Sequence, residues 1–162
     1  MSDTSKTNDQ RADSRADHPA GTFSEQERAA MKARAAELKA EARGSRAEKK
    51  AAKDEAACLS KIADMASPDR EVATRVHDIV TNTAPELAPT TWYGQPAYAK
   101  DGKVVCFFRS GLLDKERYST LGFSVEANLD EDGGLWPTSY AVAGLDDAGE
   151  ATIAELVRKA LR

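Results

Sequence analysis

The sequence predicts an α+β domain, in which an antiparallel sheet of about five strands packs against two helices that precede it and one that follows it. A charged helical arm is predicted ahead of this domain. Apolar residues recur at helical spacing before position 85 and after position 147, and short β-rich runs separated by turn residues lie between. Nine of the ten aromatic side chains lie between positions 92 and 140, which places the packed core in the later part of the chain.

Composition divides the chain into three regions. Residues 1–22 have almost no apolar side chains, and we expect a disordered leader there. Residues 23–57 are rich in Ala, Lys, Arg and Glu and form the predicted helical arm, which opens with a capping box at Ser24 and Glu27. Gly44-Ser45 is expected to break or weaken that helix, and residues 58–162 form the α+β domain.

Local patterns predict the elements of the domain in chain order. The first helix follows from apolar spacing around Ile62, and the second from Ser67 as N-cap with a proline at the first helical position. Pro85 ends the second helix, and Asp147 with Glu150 opens the last one. The predicted strands are Thr90–Gln95, Ala97–Lys100, Lys103–Arg109, Arg117–Ser124 and roughly Leu135–Val142.

Asp101-Gly102 predicts a type I′ hairpin, since both central residues of that turn need positive φ. The simple register pairs Lys100 with Lys103, and it sorts the flanking residues onto two faces. One face is apolar and is expected under the helices: Ala97, Ala99, Val104, Cys106 and Phe108. The other is aromatic and is either the far side of a thin core or a shallow ligand groove: Tyr98, Val105 and Phe107.

Trp92-Tyr93-Gly94-Gln95-Pro96 predicts a kink beside the aromatic face, because Pro96 removes a ladder donor and so interrupts the strand or marks an edge. A structural corner and a binding site are both consistent with it. The candidate binding residues supply rings and hydrogen bonds, or positive charge for a small anionic ligand or an acidic protein partner: Trp92, Tyr93, Gln95, Tyr98, Phe107, Arg109, Lys115, Arg117 and Tyr118.

These residues resemble the YdhG-like domain family, small bacterial domains of largely unknown function. The resemblance rests on the run from Tyr93 to Tyr98, on Gly102-Lys103 and on Phe107, and it extends over residues 58–162. It implies antiparallel strands flanked by helices. Some members are described as frataxin-like iron chaperones that bind iron weakly through surface carboxylates, so the resemblance also implies iron handling.

Glu126, Asp130 and Asp132 are the candidate metal ligands. Together with Asn128 and Gly133, the two aspartates match the first half of a calcium loop, but a serine stands where the bidentate glutamate is required. A solvated loop is one interpretation, and weak, unspecific binding of a hard cation such as Fe²⁺ is the other.

The helical arm carries sorted charges. At 100° per residue a basic stripe falls on one face of the helix: Arg28, Lys32, Lys39, Arg43, Arg46, Lys50 and Lys53. Glutamates lie mostly opposite. The stripe indicates either a solvated spacer helix or a surface for nucleic acid or another polyanion.

Several function classes have no support in the sequence. No apolar run is long enough to span a bilayer, no apolar signal region opens the chain, and the two cysteines have no metal-binding or disulfide spacing. We therefore expect a cytoplasmic protein. Neither a catalytic triad nor a phosphate loop is present. The leading hypothesis is a non-enzymatic binding or chaperone-type domain, and the alternative is a protein that binds polyanions through its arm.

Overall fold

The computed structural model describes residues 23–162, so the predicted disordered leader lies outside the described residues. It contains three helices, α1 (Glu25–Ala63), α2 (Asp69–Thr83) and α3 (Asp147–Ala160). The strands are β1 (Ala88–Trp92), β2 (Gln95–Lys100), β3 (Lys103–Arg109), β4 (Ser119–Phe123) and β5 (Ser139–Val142). The predicted α+β class is confirmed. Backbone contacts divide the chain into two compact units, one ending at Ala42 and the other Arg43–Arg162.

Helix α1 opens with the predicted capping box. The Ser24 amide donates to Glu27 Oε2 at 3.1 Å, and the Glu27 amide donates to Ser24 Oγ at 3.2 Å. The predicted break at Gly44-Ser45 is wrong, because α1 continues through it. A single glycine costs only about 1 kcal/mol in a helix, and strong helix formers surround this one. Every residue from 23 to 53 is exposed, and α1 first enters a core at Cys58 and Ile62.

The two later helices begin one residue away from the predicted positions. Helix α2 has Pro68 rather than Ser67 as its N-cap, and it has no side-chain cap because proline carries no acceptor in its side chain; the Ser67 hydroxyl donates to Glu71 Oε1 at 2.6 Å. Helix α3 is capped by Asp146, which accepts from the Gly149 amide at 2.7 Å. None of the helices between residues 23 and 162 is long and apolar enough to cross a membrane.

The five strands are antiparallel and lie in chain order across the sheet. One face, here called the inner face, packs against α2, α3 and the end of α1. The buried inner-face residues include Tyr98, Cys106, Phe108, Leu121 and Val142. The outer face carries alternate residues of the same strands, and several of these remain accessible to solvent: Trp92, Gln95, Phe107, Thr120 and Ala141.

The β2–β3 hairpin has the predicted turn and a different register. Asp101 and Gly102 both have positive φ, and Lys100 lies opposite Lys103 as predicted. The register then shifts, so that Tyr98 lies opposite Cys106 and Ala97 opposite Phe107. The predicted faces are therefore wrong for Ala97, Tyr98 and Ala99 of β2 and for Val104 and Val105 of β3. They are right for Cys106 and Phe108, which lie under the helices, and for Phe107, which lies on the other face. An extra residue in β3 forms a bulge, which reverses the faces beyond it and leaves both Val105 and Cys106 in the core.

Tyr93-Gly94 forms a second hairpin rather than a kink. Both residues have positive φ, and the flanking Trp92 and Gln95 are paired, as in a type I′ turn. The predicted interruption at Pro96 is also wrong, because Pro96 lies within β2, an interior strand. Pro96 lies opposite Thr91 of β1, and the β2–β3 ladder starts at Ala97, so Pro96 stands at the end of that ladder, where its missing N–H disrupts the pairing least.

Candidate binding groove on the outer face of the sheet

A groove of about 430 Å³ opens on the outer face beside the β1–β2 turn. It is lined by six residues, all but the last of them predicted binding residues: Trp92, Tyr93, Gln95, Phe107, Arg109 and Asp114. The groove brings together the ends of β1 and β3 with the segment after β3. It has an aromatic side and a charged end.

Packing of the Phe107 ring on Gly122 fixes the aromatic side. A Cβ atom at Gly122 would lie 2.2 Å from Phe107 Cζ, so only glycine leaves room for the ring. Phe107 then meets Trp92 edge to face, with 5.1 Å between ring centroids. Trp92 also contacts Tyr93 at 4.9 Å between centroids. The three rings therefore form a continuous apolar wall on a sheet face that the helices leave uncovered.

Tyr93 occupies an unusual position for a tyrosine. Its φ of 50° lies in the left-handed region, where glycine, asparagine and aspartate are preferred in this turn. Its side chain is 88% exposed. Neither the turn conformation nor burial in the core explains an aromatic residue here.

Arg109, the last residue of β3, and Asp114 form the charged end of the groove; Asp114 belongs to the segment 110–118, here called the β3–β4 loop. The Arg109 Nε donates to the carboxylate of Asp114 across the start of this loop. That hydrogen bond raises the pKa of Arg109. Lys115 is exposed with a φ of 57°, and the Arg117 guanidinium lies 5.2 Å from the centroid of the Tyr118 ring. Lys115, Arg117 and Tyr118 follow Asp114 in this loop and are exposed, but none of the three lines the groove.

Asp69, the first residue of α2, holds the β3–β4 loop in place. Its Oδ2 accepts from the Ser110 hydroxyl at 2.6 Å and from the Leu112 amide at 2.9 Å. Ser119 Oγ accepts from the Gly111 amide at 2.9 Å. Burial alone would raise the pKa of Asp69, but the hydrogen bonds from Ser110 and Leu112 outweigh it and lower the pKa. The loop conformation thus depends on an ionised carboxylate beneath it.

Tyr98 is absent from the groove, which corrects its prediction as a binding residue. The bulge turns it inward, where it is fully buried, and its hydroxyl lies 3.0 Å from His77 Nδ1. Burial raises the pKa of Tyr98 and lowers that of His77. Burial likewise raises the pKa of the Cys58 thiol to about 11 and that of Cys106 to about 12. These groups form a neutral polar cluster within the core.

Sequence reasoning missed a second cleft on the other side of the β1–β2 turn. This cleft, of about 320 Å³, shares Gln95 with the groove and includes Leu112 and Leu113 of the β3–β4 loop. Both leucines are exposed. Two adjacent leucines between Gly111 and a run of charges were the available signal, because a loop has no core in which to bury such a pair.

The predicted metal ligands do not form a donor set. Glu126 lies 3.9 Å from Lys103 Nζ, and Asp130 and Asp132 are exposed. Within residues 23–162, no group of three or more His, Cys, Asp or Glu side chains is arranged to hold a metal ion. Glu126, Asp130 and Asp132 therefore do not assemble a site for the iron that the resemblance implies.

The basic stripe of the arm is fully exposed along α1. Of its members, Lys50 pairs with Asp54 at 2.7 Å. The others make no ion pair with any residue in the described part of the chain. Apart from Lys50, the stripe thus offers positive charge that no ion pair within residues 23–162 neutralises.

Comparisons with protein-family models, curated proteins and solved structures found no match for this chain.

Proposed function

We propose that this protein is a non-enzymatic binding module of the YdhG-like class. Its outer-face groove holds part of a small ligand or of an acidic partner, in which an apolar group is linked to a negatively charged one. The observation that carries the proposal is Tyr93, an aromatic residue held at positive φ and exposed to solvent beside Trp92. Backbone strain of this kind costs about 1–3 kcal/mol and is concentrated at functional sites. Within the fold the Tyr93 ring contacts Trp92, and we infer that a further contact with a bound ligand is what the exposed part of the ring serves.

The two ends of the groove favour this class of ligand. The wall of Trp92, Tyr93 and Phe107 suits an apolar or planar group, and the side chain of Gln95 lies beside it for hydrogen bonding. Lys115 and Arg117 carry the positive charge that attracts an anion, while Asp114 neutralises Arg109. Iron is not part of the proposal, because no donor set is assembled at Glu126, Asp130 and Asp132.

Two small probes with the same ring and opposite charge test the groove. 3-Phenylpropionate and 2-phenylethylammonium are titrated into the ¹⁵N-labelled full chain, and amide chemical shifts are followed by NMR. We expect the anion to shift amides at 92–95, 107 and 109–118, and the cation to shift them much less. Trp92→Ala should abolish the response, whereas Leu135→Ala, at an exposed residue outside the groove, should preserve it. Equal responses to both probes, or shifts centred elsewhere, would refute the proposal.

A second candidate function rests on the basic stripe of α1, whose exposed cations would bind nucleic acid or another polyanion. Such binding should weaken steeply as salt rises, since bound cations release counterions from the polymer. It is measured with a fluorescent duplex of mixed sequence at several salt concentrations. Binding that is absent, or independent of salt, would dismiss this candidate.

A further inference from the structure

Helix α1 carries a heptad pattern whose residues all remain exposed in the described part of the chain. Two interleaved series of residues, each with members seven positions apart, consist mostly of large or small apolar residues with a few polar ones. The first series is Met31, Leu38, Ser45, Ala52 and Leu59, and the second is Arg28, Ala35, Ala42, Lys49 and Ala56. In heptad notation these are the d and a positions, which form the seam of a coiled coil. All of these residues are exposed, including Met31, Leu38 and Leu59, which are each about half accessible.

The two sides of this seam have opposite charges. The e positions are uniformly basic: Lys32, Lys39, Arg46 and Lys53. The g positions are acidic except for one arginine: Glu27, Arg34, Glu41, Glu48 and Glu55. Arg34 lies 3.1 Å from Glu37 and 3.8 Å from Glu41 of the same helix, so its charge is balanced locally. The basic e positions have no ion-pair partner among the described residues.

This distribution of charge selects both the partner and its direction. In a parallel pair of identical helices, each g residue meets the e residue five positions later in the other helix. Glu27 then meets Lys32, Glu41 meets Arg46, and Glu48 meets Lys53. In an antiparallel pair g meets g and e meets e, which brings like charges together. We propose that α1 pairs in parallel and in register with α1 of a second copy of this chain.

The seam also sets the strength of the pairing. Alanines allow close approach of the two helices but bury little apolar surface, and Ser45 and Lys49 interrupt the seam at its centre. The dimer is therefore weak, and it forms and dissociates with protein concentration. The flanking charges decide whether it forms, so it weakens when salt screens them.

Two charge-matched variants of the full chain test the proposal. Arg46→Glu with Lys53→Glu reverses two e positions, whereas Arg43→Glu with Lys50→Glu reverses two b positions that face away from the seam. Both change the net charge by the same amount and remove the same number of cations from the basic stripe. Sedimentation equilibrium across about 10–500 µM protein should give a dissociation constant raised at least about tenfold in the e variant and changed less than about threefold in the b variant.

A complementary variant provides the rescue. Glu41→Lys with Glu48→Lys places cations opposite Arg46 and Lys53, so we expect this variant alone to be monomeric as well. Mixing it with the e variant pairs every reversed charge with an opposite one, and we expect a heterodimer at least as tight as the original homodimer. Circular dichroism of each variant confirms that the helix itself is retained. Failure of the mixture to associate would overturn the proposal.

The direction of pairing and a seam change provide independent readouts. Met31→Cys should cross-link to itself with oxidised glutathione in the parallel pair, whereas an antiparallel pair would keep the two thiols far apart. Ser45→Leu with Lys49→Leu should tighten the dimer at least about tenfold, which keeps the test decisive if the unmodified chain associates too weakly to measure. The proposal is wrong if that variant remains monomeric. It is also wrong if neither the e variant nor the b variant changes association while both lose nucleic-acid binding equally.

Discussion

Gly122→Ala is expected to dismantle the aromatic side of the groove from beneath. Gly122 lies directly opposite Phe107 in the β3–β4 ladder, and its missing side chain is the space that the Phe107 ring occupies. A new Cβ would lie 2.2 Å from Cζ of that ring and 2.7 Å from both Cε atoms. No contact of that length is tolerated, so the ring must leave its place beside Trp92.

The expected size of the effect follows from this clash. Overpacking costs about 1–3 kcal/mol, and replacing glycine by alanine returns about 0.4–1 kcal/mol through the unfolded chain, so a net loss of about 1–2 kcal/mol is expected. Phe107→Ala alone should cost about 2 kcal/mol, roughly half the value for a fully buried ring, since Phe107 is only partly buried. With the ring absent, Gly122→Ala meets no clash and should be neutral or stabilising by about 0.5 kcal/mol.

Urea unfolding of the full chain and its three variants measures this as a double-mutant cycle. The coupling free energy between positions 107 and 122 is expected to be about 2 kcal/mol, with the double variant more stable than the sum of the two single changes predicts. Gly122→Ala should also abolish the NMR response to 3-phenylpropionate, because the wall loses Phe107. Additive free energies, or an unchanged response, would refute the packing argument.

Three further outcomes are expected. Tyr93→Asn should raise the free energy of unfolding by about 1 kcal/mol, because asparagine tolerates the positive φ, and it should weaken the response to the anionic probe. Asp101→Asn, the corresponding change in the other turn, should leave both quantities unchanged. A Tyr93→Asn variant that is less stable than the original chain would contradict the account of strain. The pKa of His77 is lowered in the folded chain, so the unfolded chain binds a proton at His77 more readily, and the free energy of unfolding should fall as pH drops below the ordinary pKa of 6.5. His77→Gln should flatten that part of the pH profile, measured by urea unfolding. An unchanged slope in the variant would assign the titration to another group. Asp69→Ala should lower the free energy of unfolding by about 2–3 kcal/mol and increase amide hydrogen exchange across residues 110–118, because two donors lose a charged acceptor. Asp64→Ala, at an exposed carboxylate, is the control. Unaltered exchange in Asp69→Ala would show that other contacts hold the loop.

Local patterns in the sequence determined most of the secondary structure. Helix α3, strand β3 and the Asp101-Gly102 turn follow from residues that interact with near neighbours in the chain, and the predicted spans match closely. The capping box at Ser24 is similarly local. Such features depend on periodicity and backbone preference, which are readable without knowledge of the rest of the fold.

Most of the candidate groove could also be predicted, because the aromatic residues and the one arginine that line it all lie between positions 92 and 109. Trp92, Tyr93, Gln95, Phe107 and Arg109 were all identified, and the structure brings them together. Tyr98 was wrong because a single extra residue in β3 reversed its face. The second cleft was missed because it combines the β1–β2 turn with leucines from a later loop and with the end of α1.

By itself, the sequence determined which segments form helices and strands and where charge and aromatic side chains are concentrated, since those properties belong to neighbouring residues. Only the tertiary structure decided which face each β residue occupies, because one bulge at Val105 exchanges the two faces of β2. It also decided that the glycine at position 122 lies beneath a ring from another strand. Both depend on how strands pair across the sheet, and pairing is a free-energy balance over the whole core that no local pattern contains.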